Sequence, residues 1–181
     1  MAGYSQRGRY NRPRYDSAQN TGKPASAATV AATRTIDPDA NDAIVVDGRT
    51  AGADGGGGLF VCDPNDTSTV DDGALTLVAA NGRRLKRIYS GAIDVRWFGA
   101  RGDGVTDDTA AIQAAIDAGI ALAGGYRGGV EVYVPRGDFR ITGVLSIFNV
   151  SGLTFTGAGK EATRLIWDGD YSVGSYAPMV R

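Results

Sequence analysis

The sequence predicts a mainly β chain whose second half begins a solenoid, and three observations carry that expectation. Glycine supplies 27 of the 181 residues, alongside many Val, Thr and Asp and few Leu or Glu, a balance that favours turns and short strands over helices. Between residues 38 and 93 short apolar runs alternate with turn-forming stretches such as "DGRTAGADGGGG", "DPNDTSTVDDG" and "AANGRR". Beyond residue 129 the strands recur at a near-constant period. "VEVYVP" and "LTFTGAG" begin 23 residues apart at Val130 and Leu153, and "FRIT" and "TRLIW" begin 24 apart at Phe139 and Thr163. A fixed period of this length is how stacked coils show themselves in a sequence.

The first 15 residues, "MAGYSQRGRYNRPRY", contain Arg7, Arg9, Arg12 and Arg14 with Tyr4, Tyr10 and Tyr15 and no acid. They lack apolar periodicity and form no core of their own. Three readings stand open: a solvated terminus, an arm that orders on a partner protein, and a tail for single-stranded nucleic acid, since Arg and Tyr suit both kinds of contact. After the arm, "GKPASAATVAATRTIDPDA" predicts a short helix capped by Ser26, favoured by Ala27, Ala28, Ala31 and Ala32, and ended by Pro38. Strands are expected at 43–46, 59–62, 74–78 and 85–89, making a small four-stranded antiparallel unit. A unit of that size has a thin core and leans on its neighbours.

Several chemistries are excluded by composition. With no histidine, the chain has no Ser-His or Cys-His catalysis and no histidine-based zinc site. Its one cysteine, Cys62, makes no internal disulfide and reads as a small buried side chain in "LFVC". No stretch reaches the roughly 18 apolar residues needed to span a bilayer, and no apolar run follows the basic N-terminus, so neither a membrane partner nor a signal peptide is expected. The net charge of −1 conceals a basic arm followed by nine Asp against the single Arg49 between residues 37 and 72. That acidic stretch would oppose a DNA backbone. The loop from Asp63 fails as an EF-hand, because Ser68 stands where glycine is required and Ala74 where the bidentate acid is required. A looser calcium site at Asp66, Asp71 or Asp72 stays open beside the reading of a solvated loop. Neither cofactor nor metal is expected.

"VRWFGARGDGVTDDTAAIQAAIDAG", residues 95–119, joins a tight turn to a helical pattern. Ile112, Ala115, Ile116, Gly119 and Ala123 advance by three and four residues, one narrow apolar stripe on a helix of about four turns. Gly99, Gly102 and Gly104 permit positive φ, and Asp103, Thr106, Asp107 and Asp108 sit where a turn and a helix N-terminus need oxygen acceptors. Metal binding or catalysis by these aspartates is the competing reading; the spacing favours turn formation and capping. The alanine-rich helix is placed to cover the open end of the first coil. Glu131, Asp138, Asp168 and Asp170, acids of the strand region, read as surface or turn residues.

With "GGVEVYVPRGDFRI" and "LTFTGAGKEATRLI", the 95–119 motif resembles the start of the pectate-lyase-like right-handed parallel β-helix superfamily over about residues 93–168. Upstream, "AGADGGGGLFVCDPNDTSTVDDGALTLVAANGRRLKRIYSG" is similar to the segment preceding this motif in bacteriophage tailspikes and tail fibres. The resemblance implies an extended virion-anchoring arm at 1–25, a small anchor or adaptor domain of helix plus antiparallel β at 26–93, and a capping helix with the first β-helix coils at 94–181. It also implies a homotrimer, made in the bacterial cytoplasm and carried on the virion. The arm would dock on a tail or baseplate protein through Arg7, Arg9, Tyr10, Arg12, Arg14 and Tyr15, and later coils would bind a host surface polysaccharide. Only about two coils follow the helix before "YAPMVR", so a truncated chain is expected. No position matches the family's catalytic carboxylates, so a polysaccharide depolymerase, hydrolase or lyase, is the alternative only if its catalytic coils lie beyond residue 181. Nucleic-acid binding is not expected.

Overall fold

The computed structural model describes residues 26–123, 129–148 and 151–169. In its first unit the apolar runs become one five-stranded sheet: β1 (Ser26–Thr29), β2 (Ala43–Gly48), β3 (Gly58–Asp63), β4 (Thr76–Val78) and β5 (Arg84–Ile88), in the order β1-β2-β3-β5-β4. All neighbours are antiparallel except β1 and β2. Alternation along β2 sends Ile44 and Val46 inward, where they meet Phe60 and Cys62 from β3, Leu77 from β4 and Leu85 from β5. Cys62 is a free thiol within this core.

The expected helix from Ser26 is corrected. Ser26–Thr29 is a strand parallel to β2, with Ser26 opposite Val45 and Thr29 opposite Gly48. The helix α1 is a single turn, Val30–Thr33, capped by Thr29, whose Oγ1 accepts from Ala32 N at 3.1 Å. Alanines favour a helix locally, but pairing with β2 buries Ala27 and satisfies a strand edge, and that distant gain overrides the local one. Strand β4 is also shorter than expected, because residues 74–76 are held by their backbone N–H groups on the Asp72 carboxylate.

In the second unit, β6 (Ile93–Asp94), β8 (Val130–Val134) and β10 (Leu153–Gly157) form one parallel sheet, and β7 (Asp103–Asp107), β9 (Gly137–Ile141) and β11 (Thr163–Trp167) form another. The strands stack as successive coils of a parallel β-helix. Val130 pairs with Leu153, the offset of 23 seen in the sequence. The second sheet departs from expectation: Phe139 pairs with Leu165 and Gly137 with Thr163, an offset of 26 instead of 24. A tight turn closed by Ala162 N and Thr163 N on Gly159 O lengthens the second coil's corner. A shift of two keeps the same face inward, so the alternation that revealed the strands survives it.

Helix α2 (Thr109–Ala123) lies against β8 and buries Ile112, Ala115, Ile116, Gly119 and Ala123, the stripe read from its period. These side chains join Val132, Val134, Phe139 and Ile141 in the core of the coils. Gly119 is what brings the helix so close. A Cβ there would stand 2.9 Å from Leu153 Cδ1 and 3.0 Å from Val132 Cγ2.

Candidate functional site

The junction between the sheet and the first coil is held by a dense set of backbone and side-chain hydrogen bonds. Asp94 ends β6 and caps a 3₁₀ turn, Val95–Phe98, by accepting from Arg96 N at 2.8 Å. Gly99 closes that turn at φ 107°, and Gly102 and Gly104 follow at 64° and 75°, so three left-handed backbone positions fall within six residues. A Cβ at Gly102 would stand 2.7 Å from Phe139 Cζ, so the turn rests directly on the coil's inner stack.

The aspartates divide the work of holding this turn. Asp103 accepts from Val105 N at 2.9 Å, Thr106 N at 2.7 Å and Thr106 Oγ1 at 2.8 Å. Asp107 accepts from Thr109 N at 3.0 Å, Thr109 Oγ1 at 2.6 Å and, through its other oxygen, Thr142 Oγ1 at 2.6 Å, tying the start of α2 to the end of β9. Asp108 is buried and points backwards: its two oxygens accept from Arg101 N at 2.7 Å and Gly102 N at 3.0 Å, while its carbonyl accepts the first helical bond from Ile112 N. Thr106 is bound to Asp103 and takes no part in the helix start. The Thr109 and Thr142 bonds hold Asp107 down to about 2, whereas burial pushes Asp108 up. These carboxylates are occupied by backbone and hydroxyl donors, the chemistry of a turn.

Other acids are equally engaged. Asp66 pairs with Lys86 at 2.5 Å, Asp71 takes a forked bond from Arg34, and Asp72 accepts three backbone N–H groups. On the coils, Glu131 accepts from Thr156 Oγ1, Asp138 pairs with Arg164, and Asp168 pairs with Arg140. Asp170 and the arm residues Arg7, Arg9, Tyr10, Arg12, Arg14 and Tyr15 lie outside the described residues.

Two arginines that sequence reasoning passed over join the two units. Arg87, on β5, is buried between Phe60 and Trp97, its Cζ 4.6 and 4.7 Å from the ring centroids. It donates to Ala74 O at 2.8 Å, Gly57 O at 2.6 Å and Gly56 O at 2.8 Å. Burial pulls it down to about 10, which still leaves it charged at neutral pH. Arg49, in the loop after β2, donates from Nη1 to Gly73 O at 2.5 Å and Trp97 O at 2.7 Å, so Trp97 is held from both sides. In the sequence both look like ordinary solvated cations. The nearby run Gly55–Gly58 was the available signal, since carbonyls without side chains are open to a guanidinium.

Residues 26–90 match the family model described as a phage tail protein small four-stranded β-sheet domain, and residues 92–177 match the pectate lyase-like rhamnogalacturonase A/epimerase family. β2 to β5 supply four antiparallel strands, and β1 adds a fifth. A Mu-like prophage FluMu defective tail fibre protein of Haemophilus influenzae is 33% identical over 154 residues, covering 80% of this chain and 23% of that protein. The mannuronan C5-epimerase AlgE2 of Azotobacter vinelandii is 43% identical over 86 residues, 42% of this chain and 8% of the enzyme. The tailspike of Acinetobacter baumannii phage AM24 superposes with a TM-score of 0.55 at 27% identity, over 66% of this chain and 18% of the tailspike. The chain thus spans less than a quarter of the length of these relatives. A phage-tail sheet running directly into pectate-lyase-like coils, matched in one continuous stretch by a prophage tail fibre, places the chain among the bacteriophage tailspike and tail-fibre proteins.

Proposed function

We propose that the chain is the attachment end of a phage adhesin. Residues 1–25 fasten it to a tail or baseplate protein, the sheet acts as adaptor, and the β-helix carries further coils that recognise a host surface polysaccharide. The carrying observation is the continuous likeness to a prophage tail fibre across both units. Four Arg, three Tyr and no acid in the first 15 residues suit a docking arm, because guanidinium–carboxylate forks and buried aromatics are what fix such segments to a partner. The protein assembles as a homotrimer made in the host cytoplasm and incorporated into the virion. A second reading, polysaccharide depolymerase, draws on the match of residues 92–177 to the pectate lyase-like rhamnogalacturonase A/epimerase family. It requires acidic groups in later coils, set roughly 5 to 10 Å apart for a glycosidase.

Deleting residues 2–15 from the phage gene tests the anchoring role. Purified particles should lack the protein while the deleted protein still melts cooperatively. Particles carrying a full complement would move the anchor to the sheet.

A further inference from the structure

The hairpin between β4 and β5 turns at Asn81 and Gly82, and Asn81 is the one asparagine of the sequence that precedes a glycine. Ala79 N donates to Arg83 O at 2.9 Å and Gly82 N donates to Ala79 O at 2.9 Å, so residues 80–82 form a tight turn completed by Gly82 at φ 79°. Asn81 and Gly82 are both exposed. A Cβ on Gly82 would meet no atom of the described residues within 4 Å, so the tip lies open to water.

The Asn81 side chain is tethered at both atoms of its amide. Nδ2 donates to Pro38 O at 2.9 Å, and Oδ1 accepts from Arg83 N at 3.2 Å. Together with Ala80 N on Ile36 O at 3.1 Å, the first of these bonds fastens the hairpin tip to the segment between α1 and β2. That segment helps to close the sheet's core, because Ile36 packs against the cluster to which the buried Ala79 belongs. A carboxylate at position 81 would keep the acceptor for Arg83 N but would have no donor for Pro38 O, and would set a negative charge against that carbonyl.

We propose that Asn81 is a modification site, converted without an enzyme to aspartate or isoaspartate, and that the conversion releases the hairpin tip from residues 36–38. The Gly82 nitrogen attacks Asn81 Cγ, the Cγ–Nδ2 bond breaks, and the proton lost by Gly82 N leaves on the departing ammonia, so a succinimide remains. Water then opens the ring, its hydroxyl going to one of the two carbonyl carbons and its proton to the ring nitrogen. Opening at Cγ restores the backbone with an aspartate, whereas opening at the backbone carbonyl routes the chain through the side chain as isoaspartate and lengthens the turn. Glycine makes the attack feasible because no Cβ shields its nitrogen. The fold gates the reaction: Gly82 N–H is bound to Ala79 O and the Asn81 amide is held at both atoms, so attack proceeds from the fraction of molecules in which the turn has opened. The sheet therefore ages from this tip, whatever the chain attaches to.

The test incubates the full chain at mildly alkaline pH, folded and in concentrated urea, and follows each asparagine by mass spectrometry of digested fragments. In urea Asn81 should convert before any other asparagine, and Gly82→Ala should slow it at least about tenfold, a comparison that needs no folded protein. In the folded chain Asn81 should still convert, at least about tenfold more slowly than in urea. Asn81→Asp, which reproduces one product, should melt about 2 to 4 °C below the parent and exchange the Ala80 amide hydrogen faster. No conversion at Asn81 in urea, or an unchanged rate in Gly82→Ala, would overturn the site. Equal rates in the folded and unfolded chains would overturn the gating, and a folded chain still fully amidated long after the unfolded one has gone to completion would overturn modification of the native protein. Melting and Ala80 exchange of Asn81→Asp identical to the parent would overturn the release of the hairpin.

Discussion

Asp107 and Asp108 are adjacent aspartates with opposite requirements, and substitution by asparagine separates them. Asp107 needs an acceptor toward Thr109 and tolerates a donor toward the Thr142 hydroxyl, which can itself accept. Asp107→Asn keeps an acceptor for Thr109 but loses the charge, so it should cost up to about 1 kcal/mol in denaturant melts at neutral pH. Asp108 receives backbone N–H groups on both oxygens, so an amide sets a donor against Arg101 N–H or Gly102 N–H. Asp108→Asn should cost about 1 to 3 kcal/mol, nearly as much as alanine. Titration follows the same division. Asp107, held down to about 2, contributes stability that is full above its ordinary value near 3.8 and is lost as pH falls toward 2; Asp108, pushed up by burial, works in the opposite direction. Melting temperatures measured from pH 5 to pH 2 should fall less steeply in Asp107→Asn than in the parent. Arg87 offers a harsher test. Arg87→Ala strips three carbonyls of their donor and opens a void between Phe60 and Trp97, so a loss of at least about 3 kcal/mol is expected, with little recovery by lysine, whose single ammonium lacks the planar fork.

Among the elements, α2 depends most on one small residue. Gly119→Val would drive two methyls into Leu153 and Val132, and because valine at 132 is stiff the helix must lift from β8. A loss of about 1 to 3 kcal/mol is expected in thermal melts, with Gly119→Ala milder because alanine's better helix propensity offsets part of the strain. The same helix shows which features were legible. Its stripe and its limits could be read because period and turn chemistry act locally, and the five inward residues are those of the sequence pattern. β1 was not legible, since nothing within "SAAT" reports that β2 lies alongside it. The β9–β11 offset was misread by two because the added length sits in a corner turn around Gly159, where no alternation marks it. The cleft between the loop after β2 and the "FGARGDG" turn was half visible: Gly99, Gly102, Asp103 and Gly104 of that turn were read as backbone shape, while Arg101 among them was passed over. Arg49 and Arg96 enter it only because the loop after β2 folds onto that turn, a contact between distant segments.

On the outside of the whole molecule, Val45, Leu59 and Ile88 stand exposed at 49%, 39% and 53%, and they are consecutive partners across β2, β3 and β5. An apolar row crossing three strands is the kind of surface that marks an interaction site. The proposed homotrimer would supply that partner, because three-fold symmetry would bring the same row from each chain to a common axis. Sedimentation of the protein with its following coils should therefore give a trimer. Leu59→Lys should weaken it: the side chain is already exposed, so the fold of one chain keeps its core, while three ammonium groups would be forced together at the axis. The expected reading is a mixture shifted toward monomer at the same concentration, with the monomer still melting cooperatively. A Leu59→Lys trimer as stable as the parent would assign assembly to the coils alone, and a monomer for the unsubstituted protein would remove three-fold assembly altogether.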